Sequence, residues 1–263
     1  MELKVLFNRH MGEQYYHMRV GFSEALKEVS SGQFLMVRAL DNSTDPLLLR
    51  PMSILRNDPT VGSAQMMYRA QGKGSAFLAK KKKDDSIEVL GPFGKGFTLS
   101  RETEKIYLVG GGIGVPPLIH FAEAITNEGH DVHVYIGGQS AGDIIGEDDF
   151  NAAGAHVFVA TMDGSDGVQG LVTIPFHEEI QNADPRNTMV YTCGPIGMMK
   201  RVAEICSEFE IPCQLSMETM MGCGFGVCLG CAVLTRNPQG LEYQRACKEG
   251  PVFFGGDLVL ESL

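Results

Sequence analysis

The sequence predicts three consecutive units: an antiparallel β-barrel over residues 1–99, an α/β domain with a parallel sheet over 100–217, and a small cysteine-bearing module over 218–263. Three observations carry this reading. Residues 1–99 hold short apolar runs at close spacing, broken by Gly, Asn, Asp and Pro. After Ser100, strand-like runs alternate with amphipathic helical stretches, the pattern of a parallel sheet. Four of the seven cysteines fall in the last segment.

In the first unit VLFNRHM, YYHMRVGF, QFLMVRAL, PMSILR, AQMMYRA and SIEVLGPF read as strands, and SAFLAKKKK as one short helix. The second unit opens with the strand IYLVGGG. The helix PPLIHFAEAITNEG follows, with Pro at its start and Gly129 past its end. DVHVYIGG, HVFVAT and TMVYTCG are further strands. The helix IGMMKRVAEICSEF and the strand PCQLSME complete the alternation.

Composition narrows the function classes. A net charge of −10 argues against nucleic acid, which is bound by basic patches. The run Lys80–Lys83 is followed at once by Asp84 and Asp85 and reads as a solvated turn. No apolar run approaches the roughly 20 residues a membrane span needs. MELKVLF lacks the basic start of a secretory leader, and the cysteine count is odd, so a reducing, cytoplasmic setting is expected. The histidines show no metal-binding spacing, and no Ser–His–Asp or paired-carboxylate arrangement suggests hydrolysis.

Cys223, Cys228, Cys231 and Cys247 are spaced C-x4-C-x2-C plus one distant Cys, the plant-type ferredoxin arrangement for a [2Fe–2S] cluster. Two irons, each tetrahedral in sulfur, need four thiolates, and here one comes from a second stretch. The glycines between the first three let the backbone wrap closely and aim N–H groups at sulfur. The competing reading is a structural zinc site, which usually shows two C-x2-C knuckles rather than one. Cys193, Cys206 and Cys213 read as reduced thiols.

Other motifs sit at strand ends. In GGGIGVPPL, Gly112 and Gly114 would let backbone approach a pyrophosphate, with the next helix N-terminus supplying dipole and free N–H groups. Its plainer reading is a tight strand-to-helix turn. CGPIGMM places Cys193 where ligands of open α/β sheets bind, or else in an ordinary turn. Arg50 in RPMS offers a guanidinium fork for phosphate, and Ser53 a donor for a flavin ring atom. YRAQGKGS ends in Gly74 and Ser75, whose N–H groups could meet a second phosphate. Glu218, at the end of the last strand of the α/β pattern, is a candidate site residue or else a solvated strand end.

The order RPMS, GKGS, GPFGKGF, GGGIG, CGP resembles the ferredoxin-reductase family, a flavin barrel followed by a nicotinamide domain. With GCGFGVCLGCAV and ACKEGPVF added, the whole chain resembles the electron-transfer subunits of type B dihydroorotate dehydrogenases. That resemblance implies FAD, one [2Fe–2S] cluster and NAD, in an NAD-dependent oxidoreductase subunit of pyrimidine biosynthesis. It implies a catalytic partner that carries FMN and oxidises dihydroorotate, with two of each chain. Matching positions imply that Arg50, Pro51, Met52, Ser53, Met67, Tyr68, Arg69, Gly74 and Ser75 hold FAD, and that Cys223, Cys228, Cys231 and Cys247 ligate the cluster. Met52 departs from the pattern, since many relatives have an aromatic there. Small flavin subunits of sulfide dehydrogenases or ferredoxin:NADP oxidoreductases share the fold, but tend to carry Asp where Cys223 stands. A zinc-stabilised subunit without redox activity is the alternative of another class. Ile106 through Pro185 contains no Lys or Arg, while Asp143, Glu147, Asp148 and Asp149 follow the second strand of the α/β pattern. NAD is therefore expected over NADP.

Overall fold

The computed structural model describes residues 1–21, 24–39 and 45–263. The first domain contains β1 (Glu2–Gly12), β2 (Tyr15–Gly21), β3 (Phe34–Ala39), β4 (Arg50–Ser53), β5 (Arg56–Asp58), β6 (Ser63–Arg69), the short helix α1 (Lys73–Ala79) and β7 (Ser86–Phe93). The predicted runs match these strands; Phe22 and Leu40, the last residues of two of them, lie outside the described residues.

The strand order is β4-β3-β7-β1-β2-β6-β5, antiparallel throughout. Its two edges, β4 and β5, are consecutive in the chain with only Ile54 and Leu55 between them. That link forces the sheet to curl until its edges meet. Both corner residues are buried, and the Leu55 N–H donates to the Gln65 carbonyl at 2.9 Å. The run PMSILR, expected as one strand, breaks at this corner. Alternating side chains, such as Met18 and Val20 inward with His17 and Arg19 at the surface, fill the barrel.

The second domain contains β8 (Lys105–Gly111), α2 (Pro116–Thr126), β9 (Asp131–Gly138), α3 (Glu147–Ala153), β10 (His156–Thr161), β11 (Val168–Gln169), α4 (Thr173–Ile180), β12 (Thr188–Cys193), α5 (Ile196–Glu208) and β13 (Cys213–Ser216). The last module adds a hairpin, β14 (Ala232–Asn237) with β15 (Gly240–Arg245), then β16 (Val252–Phe254). The central sheet has the order β11-β10-β9-β8-β12-β13-β16. The chain leaves β8 to one side through β9 and β10, then returns to the other side as β12. The switch point therefore lies between β8 and β12, where open sheets bind ligands at the C-terminal strand ends. The turns GGGIG and CGP sit there.

Two features differ from the expected parallel sheet. The three-residue β16, too short to read as a strand, pairs antiparallel with β13, so part of 218–263 returns to the α/β sheet. Helices α3 and α4 were not expected. α3 buries only Phe150 and so carries no apolar period. One core cluster runs through all three units, from Phe34 and Met36 of β3 to Cys231, Cys247 and Phe253. Polar bonds also cross from the barrel and the segment following it to the α/β domain. Arg56 pairs with Glu123 and with Asp149 at 2.6 Å; the Tyr15 hydroxyl donates to Asp143 at 2.9 Å; Tyr191 donates to the Thr98 carbonyl at 2.8 Å. Among the described residues no helix is long and apolar enough to cross a membrane.

Candidate functional site

A cleft of about 640 Å³ opens where the three units meet. The barrel contributes Arg50–Ser53 of β4, Met67–Arg69 of β6, and Gln71, Gly72 and Ser75 around the start of α1. The α/β domain contributes Gly111–Gly114 and Cys193–Pro195. The strand end Ser216–Thr219, with Met221, leads from β13 towards the cysteines and completes the wall. Of the cleft residues expected from sequence, only Gly74 does not line it. Its Cα backs the Arg50 guanidinium instead: a Cβ there would lie 3.1 Å from Cζ. The RPMS and GKGS motifs thus touch through this contact.

Arg50 is half-buried, and its Nη1 donates to the Leu48 carbonyl at 2.6 Å. Among the described residues it has no carboxylate within salt-bridge distance. The Ser75 hydroxyl is already used: it donates to the Gly72 carbonyl at 3.0 Å and accepts from the Gln71 and Gly72 N–H groups at 3.1 Å. Its role here is to close the first turn of α1.

Two expected flavin contacts turn inward. Met52 is buried in the barrel core, as is Tyr68, whose hydroxyl donates to Asn8 Oδ1 at 3.0 Å. Burial pushes the Tyr68 phenol well above its ordinary pKa. In a strand, alternate side chains face opposite sides, so the bulk of these two side chains packs into the barrel while both residues still line the cleft. Met67 packs against the α/β core instead.

The glycine turn also works differently from expectation. The first two residues of α2 are Pro116 and Pro117, which have no N–H. The next two N–H groups, of Leu118 and Ile119, both donate to the Val115 carbonyl, and Val115 N–H donates to Gly112. The helix end therefore has no unengaged N–H group, and only the preceding turn can supply one. Gly114 lines the cleft and also meets the second turn: a Cβ there would lie 2.4 Å from Gly194 Cα and 2.5 Å from the Cys193 carbonyl. The two turns flanking the switch point dock backbone to backbone.

Cys193 is buried at the end of β12, beside Ser216 and within reach of the exposed Glu218. Burial pushes its thiol up to about 12; the Glu218 charge adds to this and the Ser216 hydroxyl opposes it. The thiol is therefore protonated at neutral pH. Sequence reasoning missed Tyr15 and Ser216. Ser216 was findable, since it ends a strand aimed at the switch point. Tyr15 was not, because its partner Asp143 is 128 residues away.

The four module cysteines divide by burial. Cys231 and Cys247 are each 2% exposed, whereas Cys223 is half-buried and Cys228 exposed. They divide in the same way by contact, Cys223 with Cys228 and Cys231 with Cys247. Among the described residues no three His, Cys, Asp or Glu side chains converge as a single-ion site requires. A two-and-two division suits two irons. Backbone N–H groups already point at sulfur: Val227 to Cys223 at 3.3 Å, Gly230 to Cys228 at 3.5 Å, Cys247 to Cys231 at 3.5 Å. Burial raises the Cys223 pKa, but N–H groups of Cys228, Phe225 and Val227 outweigh it and hold the thiol at about 6. Gly224, at φ +84°, lets this loop lie on the barrel, since its Cβ would fall 2.4 Å from Met36 Cγ.

Barrel, α/β domain and switch-point cleft together define a ferredoxin–NADP reductase-like oxidoreductase. The solved structure of the NADH-dependent reduced ferredoxin-NADP oxidoreductase, described for flavin-based electron bifurcation, superposes with a TM-score of 0.86 at 25% identity over 99% of this chain and 91% of that one. A ferredoxin NADP+ reductase from Neisseria gonorrhoeae shares the fold at TM-score 0.66 and 18% identity, over 80% of this chain and 91% of that one. Residues 108–204 match the oxidoreductase NAD-binding domain, and 218–259 match the iron–sulfur cluster binding domain of dihydroorotate dehydrogenase B. The dihydroorotate dehydrogenase B (NAD(+)) electron transfer subunit of Desulforamulus reducens is 36% identical over 261 residues, 99% of this chain and 98% of that protein. That of Shouchella clausii is 40% identical over 240 residues, 90% of each. The chain belongs to the family of dihydroorotate dehydrogenase B electron transfer subunits.

Proposed function

We propose that this chain takes the electrons released when an FMN-bearing partner oxidises dihydroorotate, and delivers them through a [2Fe–2S] cluster and FAD to NAD. The complex holds two of each chain and serves pyrimidine biosynthesis in the cytoplasm. One observation carries the reading: the cleft is walled at once by the barrel, by both glycine turns and by the segment that runs from β13 into Cys223. FAD supplies the chemistry that links them, since it exchanges a hydride with nicotinamide and single electrons with an iron–sulfur cluster.

The residues divide the work. Arg50 would offer its charge to the flavin pyrophosphate, and Pro51, Met52, Ser53, Met67, Tyr68 and Arg69 would hold the rest of the cofactor. Gly74 and Ser75 shape the turn behind Arg50. The Gly112–Gly114 turn receives the coenzyme. The Cys193 thiol stays protonated and gives the cleft a neutral wall beside the exposed Glu218, a part of the cleft that would hold nicotinamide and flavin. Cys223, Cys228, Cys231 and Cys247 hold the cluster.

The charge pattern favours NAD. Two cations beyond Pro185, Lys200 and Arg186, could fold towards a phosphate, but Lys200 donates to the Leu263 carbonyl at 2.6 Å. Arg186 pairs with Asp184 before β12 begins, at the end of the strand away from the cleft. Asp143 and Asp149, expected to repel a phosphate, instead bond to Tyr15 and Arg56. The preference thus rests on missing cations more than on added anions. Purifying the chain with its catalytic partner tests the proposal. Dihydroorotate-dependent reduction of NAD, faster than that of NADP, is expected. A colourless chain holding zinc, or a complex indifferent to dihydroorotate, would overturn it.

A further inference from the structure

Four cysteines on two separate stretches leave open what keeps the stretches in register. Arg245, the last residue of β15, spans them. Its Nη1 donates at 2.7 Å to the Gly226 carbonyl, in the middle of the loop between Cys223 and Cys228. The rest of its fork is taken by Glu249: Nε donates to Oε2 at 2.9 Å and Nη2 to Oε1. Glu249 also accepts the Arg245 backbone N–H at 2.9 Å. The Arg245 carbonyl in turn receives the N–H groups of Lys248 and Glu249 at 3.0 and 2.9 Å, closing the turn that carries Cys247. With both nitrogens of one edge on Glu249 and the third on Gly226, the guanidinium cannot swing away.

We propose that Arg245 is a positioning residue of the cysteine site that also sets its potential: it ties the loop holding Cys223 and Cys228 to the turn carrying Cys247, and places a positive charge there that Glu249 partly offsets. This rests on the cluster reading above. Both side chains are only 27% exposed, so water screens them incompletely. Cys247 and Cys231 are near enough to act on the Arg245 charge. A cluster that accepts one electron becomes more negative, so a nearby cation favours its reduced form and a nearby anion disfavours it.

The sign of each effect makes the idea testable on the full chain. Iron content and the cluster's midpoint potential, from a redox titration followed by electron paramagnetic resonance, are compared in R245Q, E249Q, R245K and the R245Q/E249Q double variant. R245Q should lose iron and shift the potential of the remaining cluster downward. E249Q should shift it upward. The double variant should fall between them, and R245K should hold its potential near the unsubstituted value while loading less iron. If R245Q loads no cluster, E249Q and R245K still decide. An E249Q potential unchanged or lowered, or all variants moving in one direction, overturns the proposal, because a purely structural clamp would give that pattern. An unsubstituted chain without iron would instead fail the cluster reading itself.

Discussion

The cleft and the cysteine loop are built on opposite plans. The cleft is walled by β4, by the ends of β6, β8, β12 and β13, and by the turns that follow them. The loop around Cys223 and Cys228 lies at the surface, with Met220, Val227 and Leu229 exposed by 89, 71 and 63%. Of the four module cysteines, Cys231 and Cys247 alone belong to the core. A pocket on strand ends keeps its shape before its ligand arrives. A loop site depends on local hydrogen bonds and on the ligand itself. The cysteine site joins both kinds, one pair of thiols in each.

The largest expected effect tests that division. Cys247→Ser and Cys228→Ser should both abolish the cluster. Cys247→Ser should also destabilise the iron-free chain, by roughly 1–3 kcal/mol, because it buries a hydroxyl in a site shaped for sulfur. Cys228→Ser should leave FAD content and the iron-free unfolding midpoint close to the parent. Equal losses of stability would erase the distinction between inner and outer pairs.

Gly114→Ala probes the cleft's rigidity. Its Cβ has only backbone to push against, so a cost of roughly 1–3 kcal/mol is expected. Flavin reduction by NADH should slow while iron content stays constant. Wild-type rates would show that the two turns need not touch.

Arg50→Ala should weaken FAD retention by roughly 1.5–3 kcal/mol, about 10- to 150-fold in Kd, by removing a charge-assisted contact. Equilibrium dialysis of FAD measures it, and unchanged retention would remove Arg50 from the pyrophosphate site.

The smallest effect lies at the seam between the domains. Burial first, and the Arg56 charge second, push His120 down to about 4. The folded chain holds it neutral, whereas the unfolded chain protonates it near 6.5. Stability should therefore fall as pH drops from about 6.5 toward 4. His120→Gln should flatten that limb in urea unfolding; an unaltered pH slope would place its cause elsewhere.

Much of this comparison was legible in the sequence. Alternation gave the barrel strands, the βα pattern gave the sheet, and cysteine spacing gave the loop. The Ile54–Leu55 corner was not legible, because a two-residue bend inside an apolar run leaves no turn residue to read. Nor was β16, three residues long. Motif placed Met52 and Tyr68 on the cleft, which both line; that much of each side chain packs into the barrel follows from the two-residue period of a strand. The spent N–H groups of α2 could have been read from Pro116 and Pro117. The Tyr15–Asp143 bond needed the fold.

On this reading the cleft and the cysteine site form one path for electrons. Anaerobic reduction of the isolated chain, by dithionite and separately by excess NADH, is the deciding measurement. Dithionite should deliver about three electron equivalents per chain, two to FAD and one to the cluster, and NADH, which hands its hydride to flavin, should reduce the cluster as well. Uptake of two equivalents or none, or a cluster that stays oxidised while NADH reduces the flavin, would contradict that path.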